Sequence, residues 1–383
     1  MKNYLNEQFK NVFNDSNGIA YFSPARVNLI GEHIDYNGGF VFPCALSFGT
    51  YGIISKREDT LCRVYSEGYS KAIYEFSLTN YSKDKSQSWV DYVKGVLFSL
   101  KSHNFDVKYG FNLYIKGNMP AGAGLSSSAS LESLVLMMLN DLYNFNISRV
   151  MLAKLGKYAE NNFVGVNSGI MDQFAVLLGQ KEHAILLNTQ TLSYEQIPLK
   201  LGNYKLLIVN SNKQRGLSDS KYNERFGECQ TALKTLAPYY LVPDLCSLEL
   251  KELKHIEQML DPIIFKRLRH VVSEQARTIL SAKALKENDI ETFAKLMNES
   301  HMSLKDDYDV TGIELDTLQR LLIENGALGA RMTGAGFGGS VVSLVQSDLV
   351  DQIKEKIEEK YAKIIGYKPS FYSLETSDGT HQL

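Results

Sequence analysis

The sequence predicts an α+β fold in two domains, and three observations carry that expectation. Strand-like and helix-like segments are mixed along the chain without the regular βαβ alternation of a doubly wound sheet. The 383 residues exceed what one compact core usually holds. The patterning loosens around residues 179–195, which divides the chain into residues 1–185 and 186–383.

Strand-like runs come early, at residues 19–22, 51–56 and 62–66. Residues 111–115 alternate Phe111, Leu113 and Ile115 on one face, the period of a half-buried strand. A helix is expected after the Gly/Ser run, through Leu131, Val135 and Met138. Another covers residues 148–161, with Leu152, Leu155 and Tyr158 on one stripe, and a third begins near Gly169 and stops at Gly179. Residues 204–210 (YKLLIVN) read as a buried strand. Residues 218–236 read as a helix, with Tyr222, Phe226, Cys229, Leu233 and Leu236 three or four apart. Further helices fill residues 248–325, then a strand at 340–345 and an amphipathic helix at 349–361.

Composition removes several classes of function. The formal net charge is -2, so no basic excess exists to neutralise a nucleic-acid backbone. The N-terminal residues are polar and lack the apolar centre of a signal peptide. The longest clean apolar run, residues 134–139, is far too short to cross a bilayer. Cys44, Cys62, Cys229 and Cys246 form no C-x-x-C pair and read as reduced, partly buried thiols. These features predict a cytoplasmic protein with no membrane or nucleic-acid partner. No heptad repeat marks a dimer seam, and a monomer is expected.

Three segments carry chemistry. In residues 120–130 (PAGAGLSSSAS), small residues precede three serines that open a helix. Unpaired N–H groups and the positive end of the helix dipole suit phosphate there, and serine hydroxyls can ligate magnesium. A capped helix after a plain Gly/Ser turn has the same pattern. Residues 26–37 (RVNLIGEHIDYN) set Arg26, Glu32, His33 and Asp35 among Val27, Leu29 and Ile30, as a pocket for a hydroxyl-rich ligand would. No second histidine lies at metal-ligand spacing. Residues 326–340 (GALGARMTGAGFGGS) contain a literal G-x-G-x-x-G, but it runs into a strand rather than a helix. It therefore reads as a close-packing turn against a ligand or loop, not a dinucleotide fingerprint.

Two carboxylates complete the set. Asp172, in GIMDQ, is expected in a first helical turn, where the dipole favours its ionised form and lets it accept a hydroxyl proton. Helix-terminal preference alone would also put an acid there. Glu160 ends the preceding helix and is suited to a metal.

Together these segments resemble the galactokinases, within the GHMP family of small-molecule kinases. The resemblance covers nearly the whole chain. It rests on ARVNLIGEHIDYNGG at 25–39, PAGAGLSSSAS at 120–130 and GARMTGAGFGGS at 329–340, in that order. It implies a two-domain GHMP kinase fold with the active site in the cleft between the domains. The implied reaction is transfer of the γ-phosphate of ATP to the anomeric hydroxyl of α-D-galactose, with Mg²⁺. By the same resemblance, Asp172 is the base and Arg26 its partner. Glu32, His33, Ile34, Asp35, Gly169 and Tyr222 form the sugar site. Gly122, Ala123, Gly124, Leu125, Ser126, Ser127 and Ser128 form the phosphate loop. Ser128 and Glu160 are the magnesium ligands, and Ser66 and Trp89 contact the nucleotide.

The chain departs from the family pattern at Ala25, where glycine is usual, and at Ile34, where threonine is common. Isoleucine at the latter position also occurs in N-acetylgalactosamine kinases, which keeps that substrate as an alternative. A non-catalytic galactose sensor is the other alternative, although the loop, Arg26, Glu160 and Asp172 are all present. On an extended segment Ile34 would face away from the sugar between its two neighbours.

Overall fold

The structure is a computed structural model that describes residues 1–84, 88–119, 124–166, 168–213 and 218–383, without the side chains of 218–220. The chain opens with helix α1 (Lys2–Phe13) and strand β1 (Ile19–Asn28). A 3₁₀ turn at Asp35–Asn37 precedes β2 (Phe40–Val41), β3 (Pro43–Lys56), β4 (Leu61–Ser66) and β5 (Tyr74–Ser77). Helix α2 (Ser88–Ser102) leads to β6 (Phe111–Gly117), followed by α3 (Ser127–Leu142), α4 (Arg149–Ala159) and α5 (Met171–Leu178). Then come β7 (His183–Asn188), β8 (Tyr194–Pro198), β9 (Tyr204–Asn210) and α6 (Ser218–Leu236). Helices α7 (Leu253–Ile256), α8 (Pro262–Lys286), α9 (Ile290–Asp306) and α10 (Gly312–Glu324) fill the next stretch. The last part holds β10 (Gly329–Thr333), β11 (Ser340–Gln346), α11 (Val350–Ile365), β12 (Ser370–Leu374) and β13 (His381–Gln382).

The strands form three sheets, ordered β13-β1-β3-β6-β4-β5, β10-β11-β9-β12 and β2-β7-β8. Only the β4–β6 pairing is parallel among the described residues, so the sheets are essentially antiparallel and the helices pack beside them. This is the expected α+β architecture. The boundary drawn at residues 185 and 186 falls inside β7, and β13 returns to pair with β1, register Tyr21 to Gln382.

Strand β1 is buried over all but its first residue. It contains a proline, which cannot donate to a ladder and is confined to edges and bulges. The register explains it: Pro24 pairs with Gly49 but Ala25 pairs with Leu46, so β3 bulges between them. Such bulges re-aim the following side chains. The next residue is Arg26, whose N–H donates to the Leu125 carbonyl at 3.3 Å and ties the strand to the Gly/Ser segment before α3. Ala25 is fully buried and not among the residues with positive φ, so its extra methyl meets no backbone strain.

Three expectations change. Residues 32–35 are not extended: His33 takes a left-handed φ of 64° and Asp35 starts a 3₁₀ turn. Ile34 does face inward, but because of that turn; it is fully buried in the apolar core. Helix α5 stops at Gly179 with φ -51°, not a left-handed cap. Glycine is required there by space, since a Cβ would sit 2.4 Å from the Ala45 Cβ. A strand, β10, also precedes the glycine-rich turn, where the sequence predicts a strand only after it.

Candidate active site

Four chain segments meet around the Asp172 carboxylate. Arg26, at the end of β1, grips it with two bonds, Nε to Oδ1 at 2.7 Å and Nη2 to Oδ2 at 2.9 Å. The third arm of the guanidinium, Nη1, donates to the Gly124 carbonyl at 3.0 Å. Burial opposes the Arg26 charge, but Asp172, Glu32 and Asp35 outweigh it and raise its pKa. Ser126 also donates to Asp172 Oδ2. Ser126 precedes α3 in a left-handed conformation, φ 62°, and makes no side-chain cap. An N-cap serine normally turns its hydroxyl to its own helix; this one is directed to the carboxylate. Of the expected phosphate loop, Gly122 and Ala123 lie outside the described residues. Gly124, Leu125, Ser126, Ser127 and Ser128 carry the loop into the first turn of α3.

Glu32 and Asp35 lie beside Arg26 and Asp172. Glu32 is buried; its Oε2 accepts from Asn28 Nδ2, and its Oε1 accepts from the Gly334 N–H of the glycine-rich turn. Gly334 has φ 86°, and a Cβ on it would stand 3.8 Å from the Gly124 carbonyl, so the three sequence motifs are contiguous. Burial pushes the Asp35 carboxyl up to about 6, and the charges of Asp172 and Glu32 push the same way. Gly169 passes directly over Asp35.

His33 is neutral, since burial and the neighbouring His270 lower it to about 3. Its Nε2 lies 3.2 Å from the Ala335 carbonyl, which can only accept, so Nε2 carries the hydrogen. Its Nδ1 must then accept from Tyr36 Oη at 2.9 Å. The direction passes back along the chain: Tyr308 Oη donates to Tyr36 at 2.9 Å, and the Cys229 thiol to Tyr308 at 3.1 Å. Tyr222 on α6 closes this wall, its ring 5.8 Å from His33 and 5.5 Å from Tyr36. Burial, then Asp35, Asp172 and Glu32, hold its phenol well above the ordinary value, hence protonated and able to donate.

Glu160 begins a π-helical turn, Glu160–Val164, that continues α4; such turns recur at functional sites. Its Oε2 accepts from Ser168 Oγ at 2.7 Å and Gln173 Nε2 at 2.8 Å. Burial raises its pKa; hydrogen bonds from Ser168 and Ser128 oppose this, and the Asp172 charge adds to it. Ser128 and Glu160 are therefore neighbours beside Asp172. A hydroxyl and a carboxylate are hard oxygen donors that leave room for water and phosphate, which fits Mg²⁺. No cluster of three or more His, Cys, Asp or Glu suited to a metal occurs among the described residues.

Ser66 ends β4 and Trp89 sits in the first turn of α2; no described contact links either to the Asp172 cluster. Ile34 turns its side chain away from that cluster, against Gly39. Several supporting residues carried weak sequence signals or none. Arg331 stands between Ala330 and Met332 in an apolar strand, which is a signal for a buried charge. Gln173 adjoins Asp172. Tyr308 and Glu274 are remote in sequence and come in through α8 and the end of α9.

The fold and this site define a small-molecule kinase of the GHMP type. Family models match the same class: GHMP kinases N terminal domain over residues 91–180 and GHMP kinases C terminal over 281–363. A third, the galactokinase galactose-binding signature, matches residues 7–56. The chain belongs to the galactokinase family. It is 49% identical to the galactokinase of Clostridium acetobutylicum, over 100% of this chain and 99% of that protein. It is 48% identical to the galactokinase of Ligilactobacillus salivarius, over 100% of both. The solved structure of Lactococcus lactis galactokinase complexed with galactose superposes with a TM-score of 0.96, at 44% identity and full coverage of both chains. Methanococcus jannaschii mevalonate kinase shares the fold, with a TM-score of 0.65 at 20% identity over 94% of this chain and 99% of that one.

Proposed function

We propose that the chain phosphorylates the anomeric hydroxyl of α-D-galactose with ATP, giving α-D-galactose 1-phosphate and ADP. The observation that carries this reading is the position of Asp172, between the Glu32–Asp35 signature and the serines that open α3. Phosphoryl transfer asks a protein chiefly for alignment and charge stabilisation. Glu32, Asp35 and Tyr222 orient the sugar hydroxyls, and His33 shapes the wall they face. Asp172 takes the anomeric proton as the new P–O bond forms. The bidentate Arg26 grip fixes the plane of that carboxylate, and the guanidinium also offsets charge developing on the phosphoryl group. The N–H groups of Ser126–Ser128 opening α3 and the Ser127 hydroxyl hold the phosphates. Ser128 and Glu160 would hold Mg²⁺, which neutralises charge on the β- and γ-phosphates when bound. Ser66 and Trp89 are assigned to the nucleotide.

A monomeric enzyme is expected, since no heptad repeat marks a dimer seam. Four free, buried cysteines suit the reducing cytoplasm, where we place it. None of the described helices is long and apolar enough to cross a membrane. The test is an ADP-release assay with galactose, N-acetylgalactosamine, glucose, arabinose and mevalonate. Galactose is expected to have the highest kcat/KM. Faster turnover of N-acetylgalactosamine overturns the substrate, and tight galactose binding without ADP release overturns catalysis.

A further inference from the structure

Behind the sugar pocket lies a charged cluster that takes no part in the chemistry above. Arg331, on β10, has the largest fully buried side chain in the described protein. Its Nη1 donates to the Asn28 carbonyl at 3.2 Å and stands 3.7 Å from Glu32 Oε1. Its Nε donates to Ser300 Oγ at 3.1 Å, and Ser300 donates onward to Glu274 Oε1 at 2.6 Å. Its Nη2 has no hydrogen-bond partner among the described residues and lies 3.8 Å from Glu274 Oε1.

The two carboxylates are not equivalent. Glu274 has a guanidinium of its own, with Arg277 Nε 2.8 Å from Oε2, and also accepts the Gly31 N–H at 3.0 Å. It is held down to about 2: burial acts against its charge, but Arg277, His270 and Arg331 outweigh it. Arg277 is the leading positive charge on Glu274, whereas Arg331 is the leading one on Glu32. Burial raises the Glu32 pKa, and Arg331 is the strongest influence against that rise. An isolated carboxylate this deeply buried would take up a proton and lose its use as an acceptor. The strand carrying Arg331 also fixes the geometry: Thr333 Oγ1 donates to the Asn28 carbonyl at 3.0 Å, and the next N–H, of Gly334, donates to Glu32. Asn28 in turn donates its amide to Glu32.

We propose that Arg331 is a positioning residue of the sugar site, its buried guanidinium holding the Glu32 carboxylate charged and aimed at a sugar hydroxyl. It touches no substrate and acts through Glu32 alone. The inference rests on Glu32 being a sugar ligand, so the test separates the two statements.

Galactose affinity is measured by calorimetry on the full chain for wild type, R331K, R331M, E32Q and R331M/E32Q, with ADP affinity beside it. R331M is expected to weaken galactose by about tenfold or more, while R331K, which keeps the charge, recovers most of that loss. ADP affinity stays within about twofold, and kcat at saturating galactose falls much less than KM rises. In the E32Q background, Arg331→Met causes no further loss of galactose affinity. Equal losses with and without Glu32, or equal losses for galactose and ADP, assign Arg331 a merely structural role and overturn the proposal. If R331M does not fold, the same cycle with R331Q, which also removes the charge, reads the coupling, and additivity there overturns it equally. Galactose affinity untouched by E32Q overturns the sugar-ligand reading, and this proposal with it.

Discussion

Gly169 crosses Asp35 so closely that a Cβ built on the glycine would lie 1.8 Å from the carboxylate Oδ2. No rotation of a methyl relieves such an overlap, so a side chain there must displace either the backbone or Asp35. The proposed role of Gly169 in the sugar site is the room it leaves for that acid. Gly169→Ala should raise the KM for galactose by about tenfold or more while the KM for ATP changes little, since misplacing a positioning group by about 1 Å has that scale of effect. Steady-state kinetics with each substrate varied in turn checks this, and a matched rise in both constants contradicts it.

Asp172→Asn keeps the shape of the carboxylate but cannot accept a proton. We expect kcat to fall about a thousandfold, within the usual range for a general base, with galactose binding nearly intact. Calorimetric galactose affinity together with kcat separates the two. A near-normal kcat removes Asp172 as the base.

The pH dependence of sugar binding should follow Asp35. Its carboxyl is raised to about 6, so it is protonated within the mildly acidic range, and a neutral acid is the poorer acceptor. The KM for galactose is expected to rise by roughly tenfold between pH 7 and pH 5, and Asp35→Asn should flatten that rise while weakening binding throughout. The same group acts on stability with the opposite preference. The folded state holds this proton more tightly than the unfolded chain, so Asp35 destabilises the fold as pH rises through the window from about 4 to about 6, and the cost is fully present above it. Asp35→Asn should therefore raise Tm by about 2–4 °C at pH 7.5 and give no gain below pH 4.

Glu160→Gln tests the metal. The amide keeps the Ser168 and Gln173 neighbourhood but removes the charge that a hard cation needs. The Mg²⁺ concentration for half-maximal activity should rise by about tenfold or more, with galactose affinity measured without nucleotide unchanged. An unaltered Mg²⁺ requirement contradicts the assignment.

The parts of this site that the sequence made legible are those whose chemistry is packed into short runs. Arg26, Glu32 and Asp35 share one segment, and a short polar run among apolar residues is a signal that survives without any structure. The helices beginning near Ser127 and Ser218 follow from spacing alone. The short strands β2, β7 and β8 escaped because two to six residues give too few periods to read. Helix α2 escaped because valine, tyrosine and phenylalanine along it read equally as strand formers. The turn at His33 is not legible in the sequence, because a left-handed histidine leaves no mark in composition. The order of the Cys229–Tyr308–Tyr36–His33 hydrogen bonds is fixed by one carbonyl in a distant loop, and no local pattern encodes it.

The pairing of residues 381–382 with residues 21–22 sets a schedule for biosynthesis. The sheet whose far end presents Arg26 lacks its outer strand until nearly all of these residues have left the ribosome. Early-made residues 21–22 must wait, with one edge of β1 open, for residues made about 360 positions later. The first half therefore gains its outer edge pairing only after residues 381–382 are made, and Arg26 lies on the strand that receives it.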